Sequence, residues 1–213
     1  MQRLEERLGA PFRGSIPDMH SANLTSHLEM MQVRFNSDSL SIHQTGAITL
    51  ARFLDVAGDA WAETSEHLSV GGEVVRCGFR VISFWETATI EDARAKLIAS
   101  GLVGPPSPWT EIFGPAAGAT LMGIHDDPKW RLRAGIDAIE HKIEGELTPG
   151  QEGLFPKAAI QLDVDFIRNG EETAPHHLGK GELRQFVRDG WASYALARQR
   201  LAPILIEAEA KTV

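Results

Sequence analysis

The segment Lys157–Arg168 alternates so regularly that an extended strand is the conformation it supports best. Ile160, Leu162, Val164 and Phe166 fall on one face, and Gln161, Asp163 and Asp165 on the other. Strand side chains point alternately to the two faces, so one side of this run is packed and the other is wet or functional. A chain containing such a strand needs a second layer to cover the apolar side.

The chain can supply that layer. Its 213 residues are 43% hydrophobic and 23% charged, the balance of an ordinary globular protein with a real core. That fits one domain or two small ones. The net charge of −8 argues against a general electrostatic grip on nucleic acid or anionic lipid. Lys129, Arg131 and Arg133 cluster locally and read as the solvated face of a helix. Cys77 is the single cysteine, so no intrachain disulfide forms and no thiolate-rich metal site is built. Its neighbours Val75 and Phe79 at strand spacing make it a small buried hydrophobe rather than a nucleophile. The N-terminus mixes acids and bases without the apolar core of a signal peptide, and no apolar run approaches the ~18 residues that span a bilayer. A cytoplasmic protein without a membrane anchor is expected.

Residues 1–28 read as an arm, because Gly9, Pro11, Gly14 and Pro17 break any regularity after a short turn over Arg3–Leu8. Residues 29–213 then form a single domain, with the Pro/Gly-rich stretch 101–116 as its best internal boundary, linker or lid. Met30–Phe35 reads as a strand. Ile48–Leu68 carries Leu50, Phe53, Leu54, Ala57 and Trp61 at helical spacing, with Gly58 costing about 1 kcal/mol inside it. Glu73–Trp85 is a long strand, apolar on most of both faces and hence expected to be central. Thr87 or Thr89 caps a helix that Gly101 closes. A short strand over Ala119–Ile124 precedes an expected helix from Pro128 to about Leu147, on the stripe Leu132, Ile136, Ile139, Ile143 and Leu147. A last helix runs from about Gly181 to Arg200, and Pro203 ends or kinks it.

The implied order is β-α-β-α-β-α-β-α, an α/β or α+β two-layer sandwich. If Gly78 splits the long strand, residues 30–125 spell β-α-β-β-α-β, the ferredoxin-like order. Such a superfold does not specify an activity.

Three constellations carry chemistry. His125-x-Asp127, with His176 or His177 further on, is the ligand set of a facial-triad iron site, and Arg184 could pair with an acidic co-substrate. The bland alternative is a helix start: Asp127 as cap, Pro128 at the first helical position and Asp126 favouring the dipole. Asp163 and Asp165 share a strand face and could hold magnesium for nucleotidyl transfer, although no P-loop or dinucleotide glycine fingerprint accompanies them. Asp137, His141 and Glu144 would lie within about one turn of the expected third helix. A solvated strand face and surface pairs are the plain readings of the last two sets.

Two functions follow. The first is an interaction or assembly protein that docks on itself or on a protein partner through the arm and the Pro-rich loop with Trp109 and Phe113. The second is an enzyme dependent on a divalent metal, with His125, Asp126, Asp163 and Asp165 as candidate catalytic residues and His125, Asp127 and His176 or His177 as ligands.

Overall fold

The computed structural model describes residues 6, 8, 12–18, 21–36, 39–46, 49–67, 73–74, 76–102, 120–126, 130–141, 155–168 and 176–211. Among them are ten strands: β1 (Arg13–Asp18), β2 (Ser21–Ser26), β3 (Met31–Asn36), β4 (Leu40–Gln44), β5 (Glu73–Val74), β6 (Cys77–Thr87), β7 (Thr120–Asp126), β8 (Trp130–Glu140), β9 (Ala158–Arg168) and β10 (His176–His177). Three helices accompany them: α1 (Leu50–His67), α2 (Ile90–Ala99) and α3 (Lys180–Lys211). All strand pairs are antiparallel, so the fold is mixed α+β. Four strands follow one another before Leu50–His67, and the elements do not follow strict β-α alternation. Nor do residues 30–125 show the ferredoxin-like order, because β6 runs through Gly78 as one strand. The chain divides into two compact units, Met1–Val75 with Gly170–Val187, and Arg76–Asn169 with Arg188–Val213.

The first unit is a meander, β1-β2-β3-β4. The turn between β2 and β3 is held by the Ser26 hydroxyl, which accepts from the Glu29 amide at 3.1 Å, and by Met30 in the left-handed region at φ 47°. The sheet buries Leu24, Met31 and Val33 against Val56 and Ala60 of α1. The expected arm enters this fold. Leu8 and Phe12 are buried in the same core, and residues 13–26 supply two strands. Pro17 sits in β1, which among the described residues ends the sheet, where a missing amide is tolerated, and the register shifts between Ser15 and Asp18. Arg52 clamps the segment: its guanidinium forks onto Glu29 at 2.9 and 3.0 Å, donates to the Leu8 carbonyl and lies over the Phe12 ring.

Helix α1 occupies nearly the expected span. The buried Trp61 indole donates to the Leu178 carbonyl at 2.6 Å, which fixes the residues leading into α3. Lys180 and Arg184 cross α1 at Gly58 to reach Asp59 at 2.6 Å and Asp55 at 2.8 Å. The weak helix former is therefore a notch for two cationic stems. Arg184 makes its ion pair within its own fold.

The second unit is a sheet of order β6-β9-β8-β7. Eleven register pairs join β9 to β6 on one side, and eleven join it to β8 on the other. The expected helix over 128–147 is thus corrected: residues 130–140 are a strand. Trp130, Leu132, Ala134, Ile136 and Ala138 alternate with Arg131, Arg133 and Asp137, so the segment satisfies a period of two as well as a helical stripe. Full-length pairing with β9 decides between them. The expected central strand, β6, instead ends the sheet among the described residues, and β9 takes the interior place beside it.

Helix α2 begins in a capping box. Thr89 accepts from the Asp92 amide and Asp92 accepts from the Thr89 amide, both at 3.1 Å. It ends where Gly101 takes φ +71°. Ala93 and Leu97 of α2, with Leu205 of α3, close over Ile136, Ala138 and Ile160 of the sheet. Tyr194 and Leu201 of α3 close over Leu162 and Val164. Pro203 lies inside α3 rather than ending it. Burial of Leu205 one half-turn on offsets the roughly 3 kcal/mol that an internal proline costs.

Candidate functional site

The face of the second sheet opposite its two helices carries the chemistry. Cross-strand register sets three rows across it: Arg80, Asp165 and Arg133; Ile82, Asp163 and Gly135; Phe84, Gln161 and Asp137. Arg80, Arg133 and Ile82 are exposed, and the carboxylates between them are half-buried. The Arg80 guanidinium forks onto Asp163, Nε to Oδ1 at 2.8 Å and Nη2 to Oδ2 at 2.5 Å. That hydrogen bond, together with the charges of Asp163 and Asp165, holds Arg80 above its ordinary range against the opposing effect of burial. Such a partly exposed pair contributes about 1 kcal/mol or less to stability. What it does chemically is occupy both oxygens of Asp163.

The shared face of Asp163 and Asp165 is as the alternation requires, but a metal ion on Asp163 would have to displace Arg80. Among the described residues, no group of three or more His, Cys, Asp or Glu side chains is placed to hold a metal. In the proposed iron set, His125 stands in β7 opposite Leu132 and Asp126 opposite Arg131. His176 and His177 stand in β10 opposite Val74 and Glu73. The side chains of these four residues, and Asp127 altogether, lie outside the described residues. Pro128 and Lys129 lie outside them too, and the element that follows is a strand. The helix-cap and helix-dipole roles of Asp126, Asp127 and Pro128 are thereby withdrawn.

The cluster of Asp137, His141 and Glu144 is also corrected. Asp137 lies within β8 and His141 follows it, so four residue steps of nearly extended chain separate them, about 13 Å rather than one helical turn. Glu144 lies outside the described residues. His141 serves the fold. Its ring meets Phe84 and Phe155 edge-on at centroid distances of 5.0 and 5.5 Å. Its Nδ1 is 2.7 Å from the Pro156 carbonyl, which can only accept, so Nδ1 carries the proton. The stretch 103–116, with Trp109 and Phe113, lies outside the described residues.

Sequence reasoning missed the arginines on either side of Asp165. The signal was present in Arg80, which interrupts an otherwise apolar strand face, and in Arg133, which was assigned to a helix.

Cys77 is half-buried beside Arg168, its register partner in β9. Burial pushes its thiol from 9.0 up to about 11, with the Arg168 charge opposing. A thiol raised in the folded chain favours the protonated form there. Its share of stability is complete below pH 9 and is lost as pH rises toward 11. The denaturation midpoint is expected to fall across that window in the native chain. Cys77→Ala should fall less, by roughly 2 kcal/mol over the interval. Parallel urea titrations of the two proteins at several alkaline pH values test this; identical slopes would contradict it.

No protein-family model, no curated protein and no solved structure matches the chain. No helix among the described residues is long and apolar enough to cross a membrane.

Proposed function

We propose that this chain is a protein-interaction or assembly module whose contact surface is the face of its second sheet opposite α2 and α3. One observation carries the reading: that face sets an arginine–carboxylate row beside exposed apolar side chains, Ile82 at 44% and Ile124 at 61% exposure. Arginine and apolar groups are what interface cores enrich, and a carboxylate already paired with arginine enters a contact without leaving a lone buried charge. The arm no longer serves as the docking element in this proposal, because Leu8 and Phe12 are buried in the core of their own unit. Deleting residues 1–28 would remove two strands and test folding rather than docking. A cytoplasmic location belongs to the same proposal and fits an unpaired thiol at Cys77.

Ile82→Asp is the direct test. The side chain is exposed, so the fold is expected to survive, while any contact across this face weakens at least about tenfold, the effect of roughly 1.4 kcal/mol. Co-purification of a tagged chain from its native host, with sedimentation of the pure protein, supplies the measurement. A strictly monomeric chain that retains no partner would overturn the reading. Stoichiometric divalent metal that disappears in Asp163→Asn or His125→Ala would replace it with the metal-dependent enzyme.

A further inference from the structure

We infer that the face of the second sheet opposite α2 and α3 binds a second copy of this chain, with Arg133 of each copy set on Asp165 of the other. The inference rests on the interaction reading above and names its partner. It starts from two charges that the fold leaves unpaired. Arg133 on β8 and Asp165 on β9 are register partners, yet neither makes a hydrogen bond or an ion pair among the described residues. Arg80 stands on the other side of Asp165, but both oxygens of Asp163 already engage its guanidinium. Arg133 is exposed and Asp165 half-buried, so both charges are presented on an open face.

The surroundings say what fits there. Across the four strands one row reads Arg80, Asp165, Arg133, Ile124, and the next reads Ile82, Asp163, Gly135, Met122. Two arginines and two aspartates cancel, so these rows add nothing to the repulsion that a net charge of −8 sets between two copies elsewhere. A partner surface of one sign would match only half of the unpaired charge. A surface bearing the same two signs in reverse order matches both, and a two-fold axis parallel to the strands, between β8 and β9, supplies it from the chain itself. That axis exchanges β8 with β9 and β7 with β6, so Arg133 faces the partner's Asp165 and not the partner's Arg133.

Sheets packed face to face stand about 10 Å apart with strands within about 30° of each other, a gap that an arginine and an aspartate reaching from opposite sides can close. The same operation lays the Arg80–Asp163 pair over the partner's Ile124 and Gly135. The arginine stem then covers an apolar side chain, and the carboxylate meets a residue with no side chain to oppose it. Ile82, at 44% exposure, comes diagonally beside the partner's Ile124, at 61%, so the contact covers both exposed isoleucines. Four strands span only roughly 14 Å, which places the contact at the small, weak end of specific interfaces.

Sedimentation of the full chain over a wide concentration range tests the proposal, with Arg133→Asp and Asp165→Arg as paired variants. The native chain is expected to dimerise as concentration rises. Each variant alone sets like charges across the two-fold axis, so its dissociation constant is expected to weaken at least about tenfold. Mixed in equal amounts, the two variants are expected to form a heterodimer of near-native affinity, because both contacts then pair aspartate with arginine. No rearrangement inside one chain produces that recovery. Urea midpoints of the two variants establish that both are folded. Since Asp165 is half-buried, a salt titration of the native dimer gives a check that needs no substitution: its dissociation constant is expected to rise severalfold between about 0.05 and 0.5 M salt.

A native dimer that survives both substitutions, or one indifferent to salt, overturns the charge exchange. Folded variants that stay monomeric when mixed do the same. A native chain that is monomeric throughout overturns the second copy as occupant, and the interaction reading is then decided separately by co-purification with and without Ile82→Asp.

Discussion

Ala138→Asp is expected to cost the second unit about 3–5 kcal/mol, the penalty for an unpaired charge in a core. Ala138 sits in β8 opposite Ile160 and is buried with Leu97, Ile136 and Leu205. An aspartate is too short to carry its carboxylate to solvent from there. The same substitution also separates two conformations of one segment. On a helix over 128–147, residue 138 would fall outside the apolar stripe beside Asp137, and the change would stay within about 0.5 kcal/mol. Urea denaturation monitored by tryptophan fluorescence gives the answer, with Trp130 and Trp85 as reporters in the unit concerned. Near-native stability would contradict the strand.

Gly190→Ala is expected to destabilise by roughly 1–3 kcal/mol, against the usual sign for a glycine inside a helix. Alanine would ordinarily gain about 1 kcal/mol in helix propensity. Here its Cβ would lie 2.6 Å from Cδ1 of Phe79, 3.1 Å from Cδ1 of Phe166 and 3.3 Å from Cβ of Phe166. Both rings are buried in the sheet beneath α3, so neither can move without repacking. Gly58 in α1 supplies the contrast. Its would-be Cβ meets Arg184 Nε at 2.9 Å and Lys180 Cε at 3.0 Å, on side chains that remain partly exposed and can shift. Gly58→Ala is expected to be neutral or slightly stabilising. Thermal or chemical denaturation of the pair tests the sign difference; two destabilised variants, or two stabilised ones, would contradict it.

The helices and the long strands were largely legible. Leu54, Ala57 and Trp61 recur at helical spacing and are buried; Thr89 carries a capping box; Ile160, Leu162, Val164 and Phe166 alternate and form the core face of β9. In each case one periodicity fits and the other fails. β8 was not legible because Leu132, Ile136 and Ile139 lie four and three residues apart, as on a helix, while Ala134 and Ala138 complete an alternation that small side chains express weakly. β1 and β2 were not legible either. Arg13–Asp18 and Ser21–Ser26 have turn-like composition and become strands by pairing, β2 with β3 and β1 with β2.

The candidate face shows the same division. Local chain geometry puts Asp163 and Asp165 on one side of a strand, because adjacent side chains must diverge. Which cation meets them is a matter of register, and Arg80 reaches Asp163 across 83 residues of sequence. By itself the sequence determined the elements whose side-chain period is unambiguous, their caps, and the acidic charge of the whole. Tertiary structure alone decided that residues 130–140 extend, that Leu8 and Phe12 belong to a core, and that the paired aspartates face an arginine. The physical reason is one of range. Period and capping act over a few bonds, whereas strand pairing and burial depend on residues that only the folded chain brings together.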